Sequence, residues 1–351
     1  MKETMPAAPR LVALQTAVPD HVLDQADAAR RAAHLFEDHP EILRLLPVFA
    51  NTGIERRYSC VPIEWYTHRH GWKERNELYL EHAVALLEKV ALASLEQAGM
   101  KREELDAIVV ASTTGIATPS LDALMIERLA LRRDIVRLPI FGFGCAGGVL
   151  GLARAASLAR AMPGARILFL VVELCGLTFR KNDVSKSNII AAALFGDGAA
   201  GGILAPKGDG PEIGASGEYT WPNSLDIMGW QVEEDGLKAL FSQSIPSLVS
   251  KNFRDIAQGF LRKHDIALKD IDGFACHPGG AKVLDALETA LDLPEGGLAE
   301  SRSILRDYGN MSAVTALFVL ARMNERGWRE RRLMSALGPG FSAAFLMLEG
   351  R

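Results

Sequence analysis

The chain is poor in cysteine: it has four, and no two of them form a CxxC pair or stand beside histidine at metal-ligand spacing. That spacing argues against a metal site built on cysteine and against a disulfide framework, so Cys60, Cys145, Cys175 and Cys276 are read as reduced thiols in a cytoplasmic protein. Long apolar runs are missing as well. No stretch of about 18 residues is free of charge and glycine, so no membrane-spanning helix is expected. The opening MKETMPAAPR lacks the long apolar core of a secretion signal. Charge of one sign is never concentrated; the net charge of -4 is spread along the sequence. Without a basic block or an acidic tail, nucleic acid is not an expected partner, and a small-molecule substrate is favoured.

What the chain has is apolar material. Hydrophobic residues make up 48% of its 351 positions, enough for a large core in one compact body or two fused domains. Apolar strands alternate with amphipathic helices. Val12–Val18, Asp106–Ala111, Ile135–Phe141 and Ile167–Val172 read as strands, and Leu78–Ala98 and Cys145–Ala161 as helices. The alternation predicts an α/β architecture with helices covering sheets.

A weak internal duplication sharpens this reading. The stretch from Leu105 to Ala111 has a counterpart from Ile271 to His277, offset by 166 residues. Phe143-Gly144-Cys145 matches Tyr308-Gly309-Asn310 at an offset of 165, and Arg166-Ile167-Leu168 matches Arg332-Leu333-Met334 at 166. Three nearly equal offsets in the same order point to two similar halves, residues 1–208 and 209–351. With pseudo-two-fold packing, Cys145 and Asn310 are expected at equivalent places, each at the start of a central helix, with His277 close by.

The segment GFGCAGG carries a candidate nucleophile. A strand runs into a glycine-flanked turn and a helix follows, which places the Cys145 thiol at a helix N-terminus. There the dipole and free N–H groups favour the thiolate, and the same N–H groups can hold an oxyanion. The other three cysteines read as small buried hydrophobes. His277, in Phe274-Ala275-Cys276-His277-Pro278-Gly279-Gly280, ends a strand where such folds collect their sites, and a neutral imidazole there can take or share the thiol proton. Local bonding to the backbone is the competing reading. The remaining histidines (His21, His34, His39, His68, His70, His82, His264) lie in polar or amphipathic stretches and read as surface residues. Asn310, in DYGNMSA, is either a helix cap or a carboxamide that donates, together with His277, to a thioester carbonyl as a malonyl group loses carbon dioxide.

The ordered set GFGCAGG, LFGDGAA (Leu194–Ala200), CHPGG, DYGNMSA and the closing GPGF (Gly338–Phe341), with Gly53-Ile54-Glu55-Arg56-Arg57-Tyr58 near the start, resembles the type III polyketide synthases, the chalcone and stilbene synthase relatives. The resemblance covers nearly the whole chain. It implies a homodimer of thiolase-like, five-layered αβαβα subunits without a carrier domain. The implied substrates are CoA thioesters, with no cofactor or metal. In the implied mechanism Cys145 accepts an acyl group, and His277 and Asn310 promote decarboxylation of malonyl-CoA. The enolate extends the chain in repeated rounds, and the poly-β-ketone cyclises. Phe195 matches the family's gatekeeping aromatic, and Thr113, Cys175 and Thr178 its tunnel lining. Ser312 matches a serine near the nucleophile. Thr118 matches a position reached across the dimer interface, and Gly338 and Pro339 the loop shaping the cyclisation pocket. Gly279, Gly280 and Ala281 match the loop along CoA.

This chain departs from the plant enzymes where it matters for substrate. Ala239 stands where they carry a second phenylalanine, and with small Cys175 it is expected to open the acyl path. Of three cations that grip CoA phosphates in those enzymes, two places hold Pro47 and Asn51, and only Arg44 falls near the third. Trp221–Trp230 (WPNSLDIMGW) is closer to bacterial alkylpyrone and alkylresorcinol synthases. A medium- or long-chain fatty acyl starter is therefore expected. A class III ketoacyl synthase, condensing once with malonyl on acyl carrier protein, shares the Cys-His-Asn set and is the alternative, although the GFGCAGG and CHPGG contexts speak against it. Hydroxymethylglutaryl-CoA synthase needs a catalytic glutamate that the motifs do not place. A catalytically silent acyl-binding subunit is the alternative of a different class.

Overall fold

The structure is a computed structural model describing residues 8–325, 327, 328 and 330–350. The first seven residues, read above for a secretion signal, lie outside the described residues. Nine strands form the main sheet: β1 (Arg10–Ala17), β2 (Ala107–Ala111), β3 (Val136–Ile140), β4 (Ile167–Leu174), β5 (Asp197–Ala205), β6 (Glu212–Thr220), β7 (Gly273–Cys276), β8 (Arg331–Gly338) and β9 (Ser342–Glu349). Their order is β7-β8-β9-β6-β1-β5-β4-β2-β3. The sheet is two sheets joined at one seam, because β6 and β1 share only the Arg10–Glu212 pair. On either side of the seam the pattern is the same. Parallel β2 and β4 mirror parallel β7 and β8, and the antiparallel pairs β4/β5 and β5/β1 mirror β8/β9 and β9/β6.

Alternation along the strands decides the layers. Ile108 and Val110 of β2 and Leu168 and Leu170 of β4 face outward onto the long helix α1 (Trp72–Ala98), through Leu86, Leu87 and Val90. Val109, Phe169 and Val171 face inward. They meet two central helices, α2 (Gly147–Ala161) and, from the second half, the helix Thr315–Asn324. Beyond the second half-sheet, Leu333, Phe345 and Met347 pack against the helices Ile245–Arg262 and Ala281–Leu291. Helices, sheet, helices, sheet, helices: these are the five layers of a thiolase-like αβαβα fold. Both faces of each sheet are covered, which is why β2 and β4 read as unbroken apolar runs. Each aliphatic side chain so buried contributes roughly 1.5–3 kcal/mol.

The predicted strands are present, shifted by one or two residues at their ends. The helix expected from Leu78 begins at Trp72, where Gly71 in an extended conformation precedes it, and it stops at left-handed Gly99 (φ 60°). The helix expected from Cys145 begins two residues later, after a 3₁₀ turn over Gly144–Ala146. That turn repeats in the second half as Ser312–Val314, with Gly144 and Ser312 at the same φ of 48°. The position equivalent to Cys145 is therefore Ala313, not Asn310, and the offset at the central helices is 168 rather than 165. The two helices touch where Gly148 lies on the Ala313 carbonyl; a Cβ there would sit 2.1 Å from that oxygen.

Candidate active site

The turn carrying Cys145 is fixed from three sides. The Gly144 N–H donates to Thr113 Oγ1 at 3.1 Å. Gly144 has a positive φ, and a Cβ there would meet the Pro339 ring at 2.6 Å, so only glycine fits. Gly338 approaches equally closely, since its Cβ would lie 2.6 Å from the Phe143 carbonyl oxygen. Gly338 and Pro339, matched above to the loop shaping the cyclisation pocket, pack against the backbone of the nucleophile turn. They line neither of the two cavities described below.

His277 follows β7 directly, and its N–H donates to the Ser335 carbonyl of β8 at 2.8 Å. Both ring nitrogens are buried without a partner among the described residues, so the local-bonding reading of this histidine fails. Burial lowers its pKa to about 4 and keeps the imidazole neutral. Asn310 is no helix cap. Its Oδ1 accepts from the Ser312 N–H at 2.8 Å in a local turn, and its Nδ2 donates to the Gly279 carbonyl at 3.2 Å. Its backbone bridges the segment around Phe195, with Asn310 N–H donating to Leu194 O and Gly196 N–H to Asn310 O. One Nδ2 hydrogen is left for a ligand.

Cys145, His277 and Asn310 line one cavity of about 510 Å³. Arg44, Gly279, Gly280 and Ala281 line it too, and so do Lys186 and Lys282, which the sequence reading did not single out. The thiol departs from expectation. Burial pushes the Cys145 pKa up to about 12, and the Ser312 hydroxyl only partly offsets this. Desolvation is the largest influence on both the thiol and the imidazole, and it favours their neutral forms.

Glu173 was not anticipated. Wholly buried at the end of β4, it accepts from Thr113 N–H (3.1 Å), Thr114 Oγ1 (2.8 Å) and the Ser312 hydroxyl (3.5 Å). Burial raises its pKa to about 7, and its charge in turn raises that of Cys145. The sequence signal was a lone glutamate in the run ILFLVVEL, where an isolated charge in a buried strand calls for partners.

Cys175, Thr178 and Phe195 line a second, smaller cavity of about 80 Å³ with mainly apolar walls, running toward the helix Gln25–Leu35. Cys175 lies close enough to Cys145 for ionisation of one thiol to disfavour that of the other. Phe195 lines the second cavity only; its ring lies 5.5 Å from that of Phe241, which lines the first, and 5.9 Å from that of Trp230. Ala239 packs in this same cluster and lines neither cavity; Trp230 and Phe241 fill the space that a missing phenylalanine was expected to open. Thr118 lies exposed in the loop after β2, away from both cavities. Among the described residues there is no cluster of three metal-ligating side chains.

An αβαβα fold that closes a thiol, an imidazole and a carboxamide around one cavity has the arrangement of an acyl-condensing enzyme. Comparison with known proteins makes the class specific. Residues 3–208 match the N-terminal domain of the chalcone and stilbene synthases, and residues 212–348 match the C-terminal domain. A putative chalcone synthase of Bacillus subtilis (strain 168) is 38% identical over 355 residues, 96% of this chain and 97% of that one. The 1,3,6,8-tetrahydroxynaphthalene synthase of Streptomyces peucetius subsp. caesius is 34% identical, over 96% of this chain and 92% of that one. The crystal structure of 1,3,6,8-tetrahydroxynaphthalene synthase from Streptomyces coelicolor A3(2), a bacterial type III polyketide synthase, superposes with a TM-score of 0.93 at 27% identity, covering 98% of this chain and 99% of that one. The chain belongs to the chalcone and stilbene synthase family, the type III polyketide synthases, and is an acyltransferase of the decarboxylating Claisen type.

Proposed function

We propose that this enzyme loads a medium- or long-chain fatty acyl group from its CoA thioester onto Cys145, extends it repeatedly with malonyl-CoA, and cyclises the product to an alkylpyrone or alkylresorcinol. The observation that carries the reading is the placement of the three reactive groups on one cavity, with a second, mainly apolar cavity lined by Phe195 and Cys175. As Cys145 Sγ attacks the starter carbonyl, its proton passes to the neutral His277 ring; the departing CoA thiolate takes that proton back. The malonyl thioester oxygen then accepts hydrogen bonds from the His277 ring N–H and the free Asn310 Nδ2 hydrogen. The bond to the carboxylate breaks, carbon dioxide leaves, and the electron pair becomes an enolate held by those two donors. The enolate carbon attacks the acyl group on Cys145, and the sulfur leaves. Because the thiol and imidazole rest neutral, the first proton transfer accompanies the attack instead of preceding it.

The apolar lining of the second cavity and the small Cys175 side chain support a fatty starter. Products formed from malonyl-CoA and acyl-CoA starters of graded length, analysed by mass spectrometry, test it. Intact incorporation of long starters is expected, and Cys175→Leu, which narrows the second cavity, should shorten the accepted range. Similarity to a tetrahydroxynaphthalene synthase favours a second reading, in which malonyl-CoA is both starter and extender; products free of any added starter would establish that one. A requirement for acyl carrier protein would revive the single-condensation alternative. Failure to transfer a labelled acyl group from its CoA thioester to Cys145 would fit the silent subunit.

We further propose a cytoplasmic homodimer. All four cysteines are free thiols, and no helix among the described residues is long and apolar enough to cross a membrane. The edge strand β3 and the loop after it expose Val136 and Phe141, the latter by 65%. Light scattering that gives a monomer mass at working concentration counts against the dimer.

A further inference from the structure

The second cavity is buried at one end and meets the surface at the other. Cys175 and Phe195 close the inner end, and of the residues that line the cavity only Arg31 is exposed. The inner walls are tied by buried bonds. Asp197 accepts from the Cys60 N–H at 2.9 Å and the Gly176 N–H at 2.7 Å, and Arg57 donates to the carbonyls of Ala192 and Phe195. The outer end is built differently. One wall is the helix Gln25–Leu35, which presents Ala28, Arg31, Ala32 and Leu35, a single stripe at helical spacing. The facing wall is the 3₁₀ turn Ile63–Thr67, which contributes Ile63, Tyr66 and Thr67. Each wall is anchored on its own. At the head of the helix Gln25 Nε2 donates to the Ala193 carbonyl at 2.9 Å, and in the turn Trp65 stacks on His70 with ring centroids 3.9 Å apart. Among the described residues, the one polar bond across the gap joins Arg31 Nη1 to Glu64 Oε1 at 3.2 Å. Arg31 Nε donates to Asp27 Oδ2 at 2.9 Å within its own helix, so one edge of the guanidinium rests on the helix while the other reaches across.

We infer that the Arg31–Glu64 pair is the length stop of the second cavity: the methyl end of the starter chain runs up to Arg31 and goes no further while the pair is closed. The inference rests on the fatty-starter reading above and adds the residues that set its limit. Ala28 and Ala32 leave room for a chain along the helix, whereas Arg31 lays a charged group across its path. Each methylene buried short of that point leaves water and favours binding. A methylene beyond it gains nothing, and it has to push the guanidinium off Glu64 and bring apolar carbon against a charge. The pair is exposed, so it holds weakly, and salt weakens it further. It is a stop that a long chain can press open at a cost, so acceptance should decline past one length instead of ceasing there.

The test reads the cavity apart from the chemistry. The apolar dye N-phenylnaphthylamine, bound to the full-length enzyme, is displaced by primary alcohols of increasing chain length, which carry no thioester. In the wild type, displacement should strengthen about fourfold per added methylene until the chain meets the stop, and weaken beyond it. In Arg31→Ala and in Glu64→Gln the decline should give way to a plateau. Alcohols past the stop should then bind roughly fivefold more tightly than in wild type, and shorter ones within about twofold. Asp27→Asn, which removes only the bond inside the helix, should keep the wild-type decline, and high salt should flatten it in the wild type. Cys175→Leu, at the inner end, should move the turning point to shorter alcohols. Loading of Cys145 from acyl-CoA starters of graded length, read by intact mass, should follow the same order, with long starters gaining on short ones in Arg31→Ala. Thermal midpoints matching wild type exclude misfolding, and Arg31→Gln serves where Arg31→Ala fails to fold. The same turning point and decline in wild type, Arg31→Ala and Glu64→Gln overturns the assignment. So does equal tightening of short and long alcohols, a series indifferent to Cys175→Leu, or no displacement by any alcohol. An enzyme whose alcohol series follows the pair but which loads no fatty acyl group from CoA would refute the proposed starter and leave the stop standing.

Discussion

At the scale of single residues, the site is a contest between burial and charge. Cys145 is held near a helix terminus, yet the loss of water raises its pKa, and the Glu173 carboxylate a short way behind raises it further. Glu173→Gln removes that charge while keeping an acceptor for the Thr113 N–H. Alkylation of Cys145 by iodoacetamide at pH 8 should therefore run several-fold faster in the variant, with little difference at pH 6, where Glu173 is largely protonated. Equal rates at both pH values would remove Glu173 from the account. In the proposed decarboxylation His277 and Asn310 serve the same carbonyl oxygen. His277→Gln and Asn310→Asp should each lower malonyl-CoA decarboxylation by about 10²–10³-fold. Loading of Cys145 with a labelled acyl-CoA should fall much less in Asn310→Asp.

At the scale of elements, two close approaches hold the reacting groups in register. The central helices cross at Gly148 against Ala313, and each begins with the turn that presents Cys145 or Ser312. Gly148→Ala must part the helices or deform that turn. We expect a loss of about 1–3 kcal/mol in unfolding free energy, together with loss of acyl loading. Chemical denaturation and a single-turnover loading assay check the two effects. The segment around Phe195 is tied in another way. Buried Arg57 donates to the carbonyls of Ala192 and Phe195 and to Gln25 Oε1, closing the end of the helix that precedes Phe195. Through the bridge from Phe195 to Asn310, this anchor reaches the Asn310 segment that lines the first cavity. Arg57→Lys cannot reproduce the fork of donors.

At the scale of the molecule, buried ionisable groups shape the response to pH. Glu173 and Asp197 have pKa values raised to about 7 and about 6, while that of His277 is lowered to about 4, each by burial. A raised carboxyl favours the folded state at low pH, and that contribution is lost as pH climbs from the unfolded value through the folded one. The depressed histidine acts in the opposite sense between pH 4 and about 6.5. For Glu173 the swing between pH 4.5 and 8 is on the order of 3 kcal/mol. Thermal midpoints of Glu173→Gln should therefore gain on wild type as pH rises across this window. A constant gap would mean that Glu173 does not titrate there.

The sequence by itself determined a good deal. Apolar periodicity and near-equal offsets marked the strands, the covering helices and the repeated pattern, because burial on both faces of a sheet and on one face of a helix writes itself into residue order. Glycine-flanked Cys145 and strand-ending His277 were legible for the same local reason. Tertiary structure alone decided the rest. Gly338 and Pro339 brace the nucleophile turn, Ala239 faces Trp230 and Phe241 rather than open space, and the second central helix aligns Ala313 with Cys145. Glu173, Lys186 and Lys282 come to the site from separate segments. Desolvation and charge pairing depend on which distant groups share a cavity, and residue order does not fix that until the chain has packed.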